Sequence, residues 1–107
     1  MTTTTDPTAT QDLSLALAAY EAAFAAMVAS RLSVSAMRQA DDAFRALRQE
    51  QRARWPSATP DTDHMGCLAC DAIGACERHG HRSPAAKDCL AAHARAIELL
   101  RLHWPQG

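Results

Sequence analysis

From Leu13 onward, large apolar side chains return at helical intervals: Leu13, Leu17, Tyr20, Phe24 and Met27, with Arg31 at the next step. Steps of three and four place such residues along one side of an α-helix. Alanine fills much of the remaining surface, which favours helix and allows close approach of a neighbour. The pattern predicts a helix over residues 12–31, with Thr10 or Asp12 as N-cap. It falters at Ser30, Ser33, Val34 and Ser35, whose hydroxyls and β-branch weaken helix preference. A second stripe then starts out of phase with the first: Met37, Ala40, Phe44, Leu47 and Gln51. It predicts a second helix over 35–54, capped by Ser33 or Ser35, folded back on the first as an antiparallel hairpin. The alternative is one helix passing through a stammer. At 1.5 Å per residue it would be about 60 Å long and would need a partner chain over its stripe. A homodimer through the N-terminal helices is the partner arrangement considered on that ground.

Pro56 ends the second helix, because the residue before a proline is pushed out of the α region. Residues 56–63, with Pro56, Pro60, Asp61 and Asp63, read as linker, and the Cys/His segment follows to about residue 82. Ser83-Pro84 signals a helix start, with Ser as N-cap and Pro where its missing N–H is no loss. The last helix is expected over 84–103, with Leu90, His93 or Ala94, Ile97, Leu100 and Trp104 as its buried stripe. Pro105-Gln106-Gly107 closes the chain. The Thr-rich residues 1–10 are expected to be a disordered tail. The fold class expected is all-α. Residues 11–107 form a single domain, a helical hairpin and a third, C-terminal helix linked by a metal-ordered Cys/His loop within 64–93.

Composition narrows the class. A chain of 107 residues supports one domain with a modest core. A formal net charge of -1 excludes a generally basic nucleic-acid coat. Ten arginines against one lysine, in an alanine-rich chain, resemble the product of a high-GC bacterial genome. The N-terminal residues show no basic n-region before an apolar run, and the alanine-rich run over 15–29 falls short of the roughly 20 apolar residues of a membrane span. A cytoplasmic protein is expected, where clustered cysteines serve metals more often than disulfides.

All four cysteines and four of the five histidines lie between residues 64 and 93. Residues 56–83 carry few large apolar groups, and a structureless connection of that length is unusual in a compact domain. Burying Met65, Leu68 and Ile73 at ~1.5–3 kcal/mol each does not offset ordering the backbone at ~1–2 kcal/mol per residue. A structural zinc ion supplies on the order of 10–16 kcal/mol, so zinc is the expected cofactor. Cys67-x-x-Cys70 has the spacing of a zinc knuckle, with Gly66 and Gly74 giving the backbone freedom to wrap. Cys89 and His93 stand i, i+4 on the last helix, facing one side.

Three ligand sets are open: Cys67, Cys70, Cys89 and His93; Cys67, Cys70, Cys76 and His79; or all four cysteines, which suits zinc or, alternatively, an iron–sulfur cluster. The knuckle followed by Cys-x-x-x-His on a helix resembles treble-clef and related zinc fingers. Cys67-x2-Cys70-x5-Cys76 is similar to part of the cluster motif of the WhiB-like regulators, although the fourth cysteine here lies downstream. Other roles stand beside these. The CxxC pair could be a redox dithiol, Cys89 a core thiol, His93 a helix-face histidine, and His79 and His81 solvated loop residues. His103 sits where a helix C-terminus favours a cation. Asp71 and Glu77 are the acidic groups a catalytic zinc would need, but no HExxH or HxE…PCxxC signature accompanies them. No catalytic residue is therefore assigned, and an enzyme is the less favoured class.

Arg38, Arg45 and Arg52 repeat every seven residues along the second helix, with Arg48 and Arg54 beside them. Such a line could track phosphates or meet a protein partner. The plainer expectation is a solvated face with intrahelical pairs, Asp41 with Arg45 or Arg38. The function expected is a small zinc-stabilised binding or regulatory module, acting through helix surfaces on protein or nucleic acid and not on membranes. The alternative is an iron–sulfur or thiol redox sensor using the same cysteines.

Overall fold

The computed structural model describes residues 5–103, with side chains from Leu13 onward. The chain is all-α, built as four helices in two hairpins: α1 (Thr5–Ala29), α2 (Val34–Arg54), α3 (Thr59–His79) and α4 (Pro84–Leu102). The helix α1 takes in residues 5–10 of the expected tail. Residues 1–4, Trp104 and the closing Pro105-Gln106-Gly107 lie outside the described residues.

The chain turns between α1 and α2, so the single long helix is not formed. The N–H of Leu32 donates to Met27 O at 2.9 Å and that of Arg31 to Val28 O at 3.0 Å, the paired bonds of a Schellman motif. Arg31 and Leu32 hold φ of 57° and 63°, the left-handed region that terminates helices. Arg31 therefore stands past the end of α1 instead of continuing its stripe. Ser33 then caps α2, its hydroxyl accepting from Ala36 N–H at 3.2 Å. Ser83 caps α4 in the same way, accepting from Ala86 N–H at 3.1 Å with Pro84 in the first turn. Both caps follow from the N–H groups a helix leaves unpaired at its start.

The expected linker and Cys/His loop are instead mostly helix. After Trp55, the three residues Pro56–Ala58 make one 3-10 turn and α3 begins at Thr59, with Pro60 in its first turn and Asp61 beside it. The connection is held by Gln51, which is fully buried. Its amide donates to Trp55 O at 2.8 Å and to Thr59 Oγ1 at 3.1 Å, while Thr59 Oγ1 donates to Pro56 O at 2.8 Å. α3 buries Thr62, Met65, Ala72, Ala75 and Cys76, a helical stripe made largely of small side chains. Its own hydrogen bonds and its packing order this segment as a helix.

The core gathers Leu13, Leu17, Tyr20, Phe24 and Met27 from α1, Leu47 from α2, Met65 from α3, and Ile97 and Leu100 from α4. The stripe of α1 is thus covered by the chain's own helices. Within each hairpin the helices run close together, and α3 and α4 meet over Ala75, Cys76 and Ala86. Between hairpins the backbones stand further apart, and large side chains bridge the distance.

Candidate functional site

The two hairpins meet along two seams. On the α1–α4 seam, Tyr20 Oη and His93 Nε2 share a hydrogen bond of 2.7 Å, its direction set by the imidazole tautomer. The His93 ring also lies 4.0 Å, centroid to centroid, from Phe24, and 2% of the residue is exposed. Burial pulls the imidazole down to about 4, against a smaller opposing effect of Glu21. Burial likewise pushes the Tyr20 phenol up, with a further push from the neighbouring Cys70. Desolvation disfavours the charged form of each group, so both are neutral and serve as one buried polar contact in an aromatic cluster.

The α2–α3 seam is open. Phe44 lies against Gly66, where a Cβ would come within 2.8 Å of the ring tip. Arg48 pairs with Asp63 at 2.8 Å. Those two contacts set the antiparallel register, and Ala40, Met37, Cys70 and Ile73 line the space that opens beyond them. The facing positions Ala40, Gly66 and Ala69 are small, whereas Phe44 and Tyr20, 5.6 Å apart by centroid, hold the helices apart. The result is a cleft of about 780 Å³ lined by Tyr20, Phe24, Met27, Met37, Phe44 and Ile73. Cys67, Cys70, Asp41, Asp63, Asp71 and Arg48 supply its polar groups.

The structure divides the expected metal ligands instead of gathering them. Cys67 and Cys70 are i, i+3 on α3, both exposed and both on the cleft. They form no knuckle, because the turn that a knuckle requires is a continuous helix here. Cys76 is buried and packs with Cys89 at the α3–α4 end of the molecule. Burial pushes the Cys76 thiol up, and the adjacent Cys89 adds to it. His93 lies in the aromatic core, so Cys89 and His93 do not converge on one point. His79 ends α3 exposed to solvent. Among the described residues, no three His, Cys, Asp or Glu side chains are placed to hold one ion. A tetrahedral zinc site needs four ligands, three of them from protein even when it is catalytic, and this arrangement does not fit one. A four-thiolate cluster does not fit the divided cysteines either.

The arginine face is partly committed to intramolecular pairs. Arg45 pairs with Asp41 at 3.1 Å, Arg48 with Asp63, and Arg54 with Glu50 at 2.7 Å. Arg38 and Arg52 are exposed. His103 follows the last turn of α4, its N–H bonded to Leu99 O at 3.1 Å, and lines a smaller cleft of about 200 Å³ with Asp61 and His64.

Sequence reasoning missed the cleft residues Phe44, Gly66, Ala69 and Ala40 as a group. The signal was present in Thr59-Pro60-Asp61, which puts Pro and an acidic residue where a helix starts, although the N-cap position is Ala58 and makes no side-chain cap. Taking α3 as a helix would have put Cys67 and Cys70 one turn apart, opposite the stripe of α2. No described helix is long and apolar enough to cross a membrane. Compared with models of protein families, with curated proteins and with solved structures, the chain matches none.

Proposed function

We propose that the chain is a small helical binding module whose site is the cleft between the α1–α2 hairpin and α3, and that it takes a compact, largely apolar ligand. The observation that carries this reading is the cleft itself, about 780 Å³ with an aromatic and thioether lining and a few polar groups. That size and make-up are typical of sites for small organic ligands. Small residues on the facing helices keep the space open, and Phe44 against Gly66 props it. The reading keeps the expected class of binding module and moves its site from the helix surfaces into the cleft.

The test is a titration with the neutral apolar dye Nile red. Wild type is expected to give a saturable, one-to-one rise in fluorescence. Ala69→Trp, which fills the cleft from α3, is expected to abolish it while the helical circular dichroism is unchanged. An unsaturable signal, or one indifferent to Ala69→Trp, would overturn the reading.

A second reading, thiol-based redox sensing, draws on the packing of Cys76 beside Cys89. Two thiols joining as a disulfide release two electrons and two protons, which a peroxide takes up in forming two waters. Loss of two hydrogens in the mass spectrum after peroxide, confined to a Cys76–Cys89 crosslink and absent in Cys89→Ser, would favour it. Unchanged mass would remove it.

A further inference from the structure

The sulfur atoms of the cleft have a consequence beyond an apolar ligand. We infer that Cys67 and Cys70, assisted by the thioethers of Met27 and Met37, form a site for one soft cation of low coordination number, with the cuprous ion as its representative. The inference rests on the cleft being the protein's binding site, and it holds whatever fills the apolar part.

Three observations carry it. Cys67 and Cys70 stand one helical turn apart on α3, both exposed and both on the cleft wall. At that spacing the Cβ atoms are about 5–6 Å apart, within reach of a single ion between two sulfurs. Met27 from α1 and Met37 from α2 line the same cleft, so three helices bring sulfur to one space. Thiolate and thioether are the donors that select Cu(I). Of the charged groups of the lining, Asp63 pairs with Arg48 and Asp41 with Arg45, which leaves Asp71 beside the cysteines, a slight acidic balance that disfavours an anion.

The arrangement also discriminates. A cation that needs three or four His, Cys, Asp or Glu ligands finds no such group among the described residues, whereas two thiolates suffice for Cu(I). The other cysteine pair is less suited, since Cys76 is buried among Ala75 and Ala86. A thiolate there would be held in apolar surroundings, which disfavour it. Binding is balanced as one cuprous ion replacing two thiol protons, giving a bis-thiolate complex and two protons released to solvent.

The test uses the full, reduced chain without oxygen, titrated with Cu(I) in competition with bathocuproine disulfonate, whose colour reports the ion it retains. Wild type is expected to withhold one Cu(I) per chain. Cys67→Ser and Cys70→Ser are each expected to lower affinity more than about 100-fold, since even outer-shell partners of metal ligands are worth 10–100-fold. Met27→Leu and Met37→Leu are expected to lower it by a smaller factor, and Cys76→Ser and Cys89→Ser to leave it unchanged. All variants must keep the wild-type circular dichroism. Surrender of all Cu(I) to the competitor, full retention by Cys67→Ser, or loss on Cys76→Ser instead would each overturn the inference, as would one ion per two chains. If Nile red binds and Cu(I) does not, the metal inference falls and the apolar reading stands. The reverse result separates them the other way.

Discussion

The two seams between the hairpins solve the same problem differently. Both must span helices that stand further apart than those within a hairpin. The α1–α4 seam does so with rings, Tyr20 and Phe24 around His93, and buries its Tyr20–His93 polar contact in the core. The α2–α3 seam is closed where Phe44 meets Gly66 and Arg48 meets Asp63, and elsewhere faces the alanines Ala40 and Ala69 across open space. The first seam holds the bundle together. The second gives up packing, which proteins generally keep dense, and gains a cleft. The first seam carries the buried contact and the second the cleft, and Tyr20 and Phe24 border both.

The largest expected effect tests the closed seam. Tyr20→Ala removes a buried ring and should destabilise by about 3–5 kcal/mol. Tyr20→Phe keeps the ring but leaves His93 Nε2 buried and unpaired, at about 1–3 kcal/mol. Urea unfolding followed by circular dichroism measures both, and a Tyr20→Phe protein as stable as wild type would break the comparison.

Acid should act through the same seam. The imidazole of His93 lies at about 4 in the folded chain against an ordinary 6.5. Between those values the unfolded chain binds a proton that the folded chain excludes. This contribution to stability is therefore full above pH 6.5 and falls as pH drops towards 4, by an amount on the order of 3 kcal/mol. His93→Gln should flatten that part of the pH profile measured by urea unfolding.

The open seam should respond to Gly66→Ala in binding more than in stability. The added methyl meets Phe44 at its ring tip, and the ring can swing into the cleft at about 0.5–1.5 kcal/mol of rotamer strain. Replacing glycine within a helix returns about 0.5–1 kcal/mol. Thermal unfolding should show a net change within about 1 kcal/mol, while Nile red binding weakens severalfold. The smallest effect is expected for Asp63→Asn. It breaks an ion pair whose side chains are 35% and 45% exposed, a kind of pair worth about 0.2–1 kcal/mol. A larger loss of stability would show that the open seam also holds the bundle.

Much of the scaffold was legible in the chain. Leu13, Leu17, Tyr20, Phe24 and Met27 mark α1 because large apolar residues at helical spacing have one economical arrangement. Ser83, and Ser33 as one of two candidates with Ser35, mark the starts of α4 and α2 because a hydroxyl there satisfies an otherwise unpaired N–H. α3 was not legible as a helix. Its stripe consists mostly of alanine, threonine and cysteine, which look apolar only when a partner lies close. Its Gly66 reads as loop until Phe44 is seen beside it, and its Cys-x-x-Cys reads as a knuckle until the backbone proves helical.

The candidate site divides along the same line. Sequence alone determined an all-α chain, the break in the helical pattern at residues 30–35, the cap at Ser83 and the concentration of sulfur and imidazole between residues 64 and 93, because these depend on local backbone chemistry and short periodicities. Tertiary structure decided that His93 joins Tyr20 in the core, that Cys76 meets Cys89, and that Cys67 and Cys70 open onto a cleft with Met27 and Met37. Those outcomes depend on which helices face each other and how closely. That is a property of packed surfaces from distant parts of the chain, and no local pattern of residues carries it.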